Sequence, residues 1–163
     1  MRKRYLFLST VILGMSCQND ISQAEKIITT NESFLDYQNK LEIFERAAKK
    51  SKSDSLWSRY KMASADVQAQ IPGRALFSIR NYMDVFDSLP HRQEASISLL
   101  SAAVVFEDEL NDQTRALKTI QLLLDNYPNT KIAFRAEKYR DLVAMGNDSL
   151  VLDKIHNWQT KRN

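Results

Sequence analysis

Apolar residues recur at helical spacing along most of this chain, and very little interrupts them. Among 163 residues there are three glycines, Gly14, Gly73 and Gly146, and three prolines, Pro72, Pro90 and Pro128. No stretch shows the period-two alternation of a half-buried strand, so the spacing predicts an all-α fold. Phe34, Tyr37, Leu41, Phe44 and Ala48 mark one stripe, with Thr29 and Glu32 placed to cap it. Asp54 is the expected N-cap of the next, whose stripe is Trp57, Tyr60, Ser64, Val67 and Ile71, broken by Pro72-Gly73. Leu76, Ile79, Met83 and Phe86 mark a third helix that stops before Leu89-Pro90. The run from Ala95 to Leu110 has almost no polar face, which predicts a helix packed on several sides, central to the fold. Asn111-Asp112 turns the chain. Ala116, Leu117, Ile120, Leu123 and Leu124 lead to Tyr127-Pro128, and Ile132, Ala136, Tyr139 and Val143 form a further stripe. Gly146 reads as a stop, Asp148 as a cap, and Val151, Ile155 and Trp158 as a closing helix.

Antiparallel pairs of short helices imply a repeat, and self-similarity is present in two registers. Setting Pro90 on Pro128 gives an offset of 38 and pairs Tyr82 with Ile120 and Val85 with Leu123. Setting Arg74-Ala75-Leu76 on Arg115-Ala116-Leu117 gives an offset of 41 and pairs Ile79 with Ile120 and Phe86 with Tyr127. Either register makes two related helix pairs. In the second pair, Leu99, Ala102-Ala103, Phe106, Ala116, Ile120, Leu123 and Pro128 run large, small-small, aromatic, Ala, large, apolar, Pro, with one extra residue in the turn. That order resembles the tetratricopeptide repeat. The stretch Ala102–Ala136 is similar to the tetratricopeptide lipoproteins of Gram-negative envelopes. It is more loosely similar to the helical lipoprotein of the outer-membrane β-barrel assembly machine. The resemblance spans Asp54 to Trp158 and implies a short right-handed α-solenoid over residues 31–163.

The start of the chain has its own layout. Met1-Arg2-Lys3-Arg4 is basic, Tyr5 to Leu13 is apolar, and Ser16 precedes Cys17. These are the three regions of an export signal. Ser16-Cys17 resembles the end of a bacterial lipobox, although Gly14 and Met15 stand where Leu and a small residue are usual. The resemblance implies cleavage after residue 16, acylation of Cys17, and residues 17–30 as a polar tether to a membrane. The apolar run is well short of the ~20 residues that span a bilayer. Ordinary secretion with a free thiol, or a retained anchor, are the other outcomes this segment allows.

Removing residues 1–16 changes the electrostatic balance. The whole chain has 23 Lys and Arg against 20 Asp and Glu, a formal charge of +3. Arg2, Lys3 and Arg4 account for that excess, and the remainder is neutral in both halves. A neutral, evenly mixed chain has no basic footprint for nucleic acid. Acylation of Cys17 also consumes the only cysteine, leaving no thiol for a disulfide, a zinc site or a nucleophile.

Candidate chemistry is sparse. His91 and His156 stand alone, without metal-ligand spacing. Asp108 and Asp112, one helical turn apart, read either as a hard-cation pair or as a solvated helix end. Lys131, Arg135 and Lys138 form a basic stripe suited to lipid headgroups or an acidic segment, or a plain solvated face. No phosphate loop, nucleophile elbow or zincin helix is present, so the expectation is a non-enzyme without cofactor or metal. If the repeat resemblance holds, Ile97, Leu100, Val104, Glu107 and Asp108 line a peptide groove, or else the apolar three pack on the preceding pair. The expected function is a lipid-anchored adaptor of the bacterial envelope, at the outer membrane facing the periplasm. It would bind envelope proteins or assist their assembly, with partner and oligomeric state open. The alternative is a lipoprotein that binds a small solute or glycan through Trp57, Tyr60 or Trp158.

Overall fold

The structure, a computed structural model, describes residues 19–30 and 36–145. Among them are seven helices and no strand. Residues 19–30 are helical and form α1; α2 is Tyr37–Lys50, α3 Asp54–Ala69, α4 Ala75–Ser88, α5 Gln93–Asp108, α6 Gln113–Asn126 and α7 Lys131–Met145. No described helix is long and apolar enough to cross a membrane. Cys17, Glu32, Phe34, Gly146, Asp148, Val151, Ile155, His156 and Trp158 lie outside the described residues, as does the signal segment.

Short polar side chains start α2, α3 and α6, whereas α4 and α5 follow Arg74 and Arg92 without a side-chain cap. Asp36, extended at φ −64 and ψ 153, accepts the Gln38 amide at 2.7 Å and caps α2. Thr29, the expected cap, instead ends α1, its hydroxyl donating to the Glu25 carbonyl at 2.8 Å. Ser53 caps α3 through the Leu56 amide, and Asp54 falls one place inside, where a carboxylate favours the positive end of the helix. Asp112 caps α6 by accepting from Arg115 N at 2.9 Å, after Asn111 has turned the chain in the left-handed region at φ 49. The other such turn, at Gly73 with φ 79, follows α3.

Each helix packs on its chain neighbour, and α5 also meets α3 and α7. Its position is therefore central, as its nearly all-round apolar character predicts. Ser96 and Ser98 are buried there without loss because their hydroxyls donate to Gln93 and Ala95 carbonyls of the same helix. Three sub-cores follow one another along the chain. Leu41, Phe44 and Tyr60 centre the first, Ala65, Tyr82 and Ala102 the second, and Leu99, Ile120 and Leu123 the third. Beside the second sub-core, α3 and α4 also share polar contacts: Asn81 donates to Gln68 and Ser64, and Lys61 reaches both Asn81 and Asp84 at 2.8 Å.

The ends of α4 and α6 correspond at the offset of 38. α4 and α6 both have 14 residues and run from Ala75 to Ser88 and from Gln113 to Asn126. They end in the same geometry, Leu89 at φ −132 and ψ 50, Tyr127 at φ −132 and ψ 46, each amide bonded four residues back. The buried faces agree better with the offset of 41, which sets Ala75, Ser78, Ile79 and Tyr82 on buried Ala116, Thr119, Ile120 and Leu123, although it leaves buried Val85 on exposed Asn126. α3 and α5, 16 residues each, lie 39 apart because the first turn is one residue longer. The two ends are tied together: Tyr127 donates to the Pro90 carbonyl at 2.6 Å and stands edge-on to Phe86.

The tether reading of residues 17–30 is corrected over its described part. Ile21, Ala24, Ile27 and Ile28 follow a helical stripe, and Ala24 and Ile27 are buried against α2 and α3. Asp20 holds Lys50 and Arg46 of α2, and the Lys50 hydrogen bond keeps its carboxyl below the ordinary range. The polar average of this segment conceals one apolar face.

Candidate functional site

One side of α3 is only partly covered: Met62 and Ala63 touch the sub-cores and still reach the surface. Arg59, Met62, Ala63, Asp66 and Gln70 recur every three to four residues and form the floor of a cleft of ≈ 560 Å³. α1 supplies Ile27 and Ile28 to one wall, α2 supplies Lys40 and Phe44, and α5 closes the opposite wall with Glu94 and Ile97. The cleft exists because α1, α3 and α5 stand side by side while α2 and α4 pack from outside.

Its charged groups differ in how they are satisfied. Arg59 pairs with Glu25 at 3.2 Å, and Glu25 also accepts from the Tyr60 hydroxyl at 2.8 Å. Burial, with help from Glu25, pushes that hydroxyl up to about 12. Asp66 has no ion pair among the described residues; its one partner is the buried Tyr82 hydroxyl, which donates to it across the α3–α4 interface. Asp66 is exposed at the mouth of the cleft; the packing around its carboxyl raises it above the usual aspartate value, and the Tyr82 bond opposes this.

The five groove candidates do not form one surface. Ile97 lines the cleft, and both it and Leu100 also pack against the α5–α6–α7 core. Val104 and Glu107 are half-buried further along α5, and Asp108 is exposed at its end. Glu107 and Asp108 lie beside Tyr139 of α7, where burial first and then these two charges raise its hydroxyl. The sixteen-residue helix carries its two ends past different neighbours.

Other candidates take structural places. Tyr60 is fully buried and bonded to Glu25, so it presents no face to a sugar; Trp57 is half-buried with the Lys61 ammonium 6.0 Å from its ring centre. Asp112 is occupied as a cap and pairs with Arg115 at 3.0 Å, which leaves Asp108 without a carboxylate partner for a cation. His91 is exposed in the turn before α5. Among the described residues no three His, Cys, Asp or Glu side chains are grouped to hold a metal ion. Lys131, Arg135 and Lys138 do share an exposed face of α7, with Phe134 between them and Lys138 4.3 Å over its ring.

Met62, Asp66 and Arg59 were invisible as site residues in the sequence because the buried stripe Trp57–Ile71 drew attention to the other side of the same helix. The available signal was Met62 flanked by opposite charges at helical spacing, a mixture that neither a core nor a plain solvated face requires. Compared with known proteins, the chain matches no family model, no curated protein and no solved structure.

Proposed function

We propose that this chain is a non-enzymatic adaptor, a short tetratricopeptide-type solenoid that is held on a bacterial membrane through acylated Cys17 and binds a segment of an envelope protein. The observation that carries the binding role is the cleft along α3, whose lining combines apolar contact with single charges. The repeat type is supported by the positional match of Tyr60, Ala63-Ser64 and Val67 to Leu99, Ala102-Ala103 and Phe106 at the α3–α5 offset. Small residues at the paired positions let the two helices approach closely. The lipobox resemblance supports the membrane anchor, and the similarity to tetratricopeptide lipoproteins of Gram-negative envelopes supports the outer membrane, facing the periplasm. Several acyl chains, at about 0.8 kcal/mol per buried methylene, hold a domain of this size stably.

Palmitate labelling with cell fractionation tests the anchor. The parent protein is expected to take up label and sediment with membranes, and Cys17→Ala to lose the label and appear in the soluble fraction. A Cys17→Ala protein found wholly in the membrane fraction would contradict it.

A further inference from the structure

We infer that a basic recess on α7 is a second binding surface of this chain, and that it receives an acidic segment of a partner protein. The inference goes beyond the α3 cleft and does not depend on it. The recess, of ≈ 580 Å³, is lined by Asn129, Thr130, Lys131, Phe134, Arg135 and Lys138. None of these is acidic, and Glu137 and Asp141 of the same helix lie outside the lining. Lys131, Arg135 and Lys138 stand at i, i+4 and i+7, a row about 10 Å long on one face of the helix. Lys131 and Arg135 are exposed and make no ion pair among the described residues. This row of charges works against the helix that carries it. Like charges one turn apart repel, and Lys131 opens α7 at its positive end, where a cation is disfavoured. Anionic groups laid along the row remove both costs. Two features favour a peptide over a lipid surface. The lining is concave, so an extended segment can follow it where a flat bilayer face cannot. Phe134, 59% exposed, has the Lys138 ammonium 4.3 Å over its ring, so the ring cannot enter hydrocarbon without taking a charge along. The open part of that ring gives an apolar residue of the segment a place beside its carboxylates.

Two rhodamine-labelled nonapeptides with a central leucine, one alternating glutamate with serine and one with glutamine in place of glutamate, supply the test by fluorescence anisotropy on the purified full chain. The glutamate peptide is expected to bind at least about tenfold more tightly than the glutamine peptide, the gap closing as salt rises. Lys131→Gln combined with Arg135→Gln is expected to bring the glutamate peptide to the glutamine level. Both side chains are exposed, so this variant should melt no lower than the parent. Lys49→Gln with Lys52→Gln removes exposed cations elsewhere, and Met62→Asp alters the α3 cleft; neither should change glutamate-peptide binding. Vesicles of phosphatidylcholine and phosphatidylglycerol check the other occupant, and the parent and the α7 variant should sediment with them equally. An undiminished glutamate preference in the α7 variant overturns the inference. So does an equal loss in the variant at Lys49 and Lys52, the mark of nonspecific charge attraction. Weaker sedimentation of the α7 variant assigns the face to lipid and overturns the acidic-segment reading. A loss confined to Met62→Asp moves the segment to the α3 cleft, which overturns this site and leaves the proposed function standing. Absence of binding by the glutamate peptide overturns the inference as well.

Discussion

Leu99→Ala is expected to lower the free energy of unfolding by about 3 kcal/mol, the middle of the range for removing a fully buried leucine. Leu99 has no exposed surface, and its neighbours across α5 and α6 include Ala103, Ala116 and Ile120. Alanines cannot reach into the space it leaves, and Ile120 is itself enclosed, so the cavity persists rather than collapses. Urea unfolding measures the effect, with the midpoint falling and the denaturant slope unchanged. Leu76→Ala is the control: Leu76 is 62% exposed, and its truncation should change stability by no more than about 0.5 kcal/mol. A Leu99→Ala loss below about 1 kcal/mol would mean that α5 does not sit at the centre of the packing.

Ala24→Glu is the second large effect, and it is local. Ala24 is fully buried in the sub-core shared by α1, α2 and α3, with Leu41, Phe44 and Tyr60 around it. The cations that reach α1 are already engaged, Arg46 and Lys50 by Asp20 and Arg59 by Glu25, so burying a further carboxylate costs several kcal/mol, more than α1 gains by docking Ala24 and Ile27. The helix should therefore leave its place while α4 to α6 remain folded. Hydrogen exchange is expected to show amides 22–28 losing protection by two orders of magnitude or more, with the amides of α5 unchanged. The α3 cleft loses the Ile27 and Ile28 wall in the same variant, so partner binding there should fall with it. Undiminished protection in residues 22–28 would return this segment to the role of a tether.

What the sequence made legible was set by periodicity. α3 to α7 follow from their apolar stripes, and the central place of α5 follows from its lack of a polar face. Two things were decided by physics that a stripe does not encode. Caps depend on which short polar side chain can reach an amide, so Asp36 and Ser53 displaced the expected Thr29 and Asp54. The segment before residue 31 contains few apolar residues, yet Ala24 and Ile27 suffice once Asp20 is fixed by Lys50 and Arg46. The two repeat registers each describe a different property of the helices: the similar end conformations of Leu89 and Tyr127 follow the offset of 38, and the buried faces of α4 and α6 follow the offset of 41, one helical turn away. The groove set on α5 is divided because a long helix passes α3 at one end and α7 at the other, and of its five residues Ile97 alone lines the cleft.

A photoreactive benzoylphenylalanine placed at Met62, on the cleft floor, and separately at Lys118, on the exposed face of α6, measures whether the cleft holds a partner in intact cells. Irradiation is expected to give one discrete adduct from position 62 and none from position 118, with the adduct reduced when Cys17→Ala is combined with the first. Equal adducts from the two positions, or none from position 62, would contradict a partner held in the cleft of a membrane-anchored adaptor.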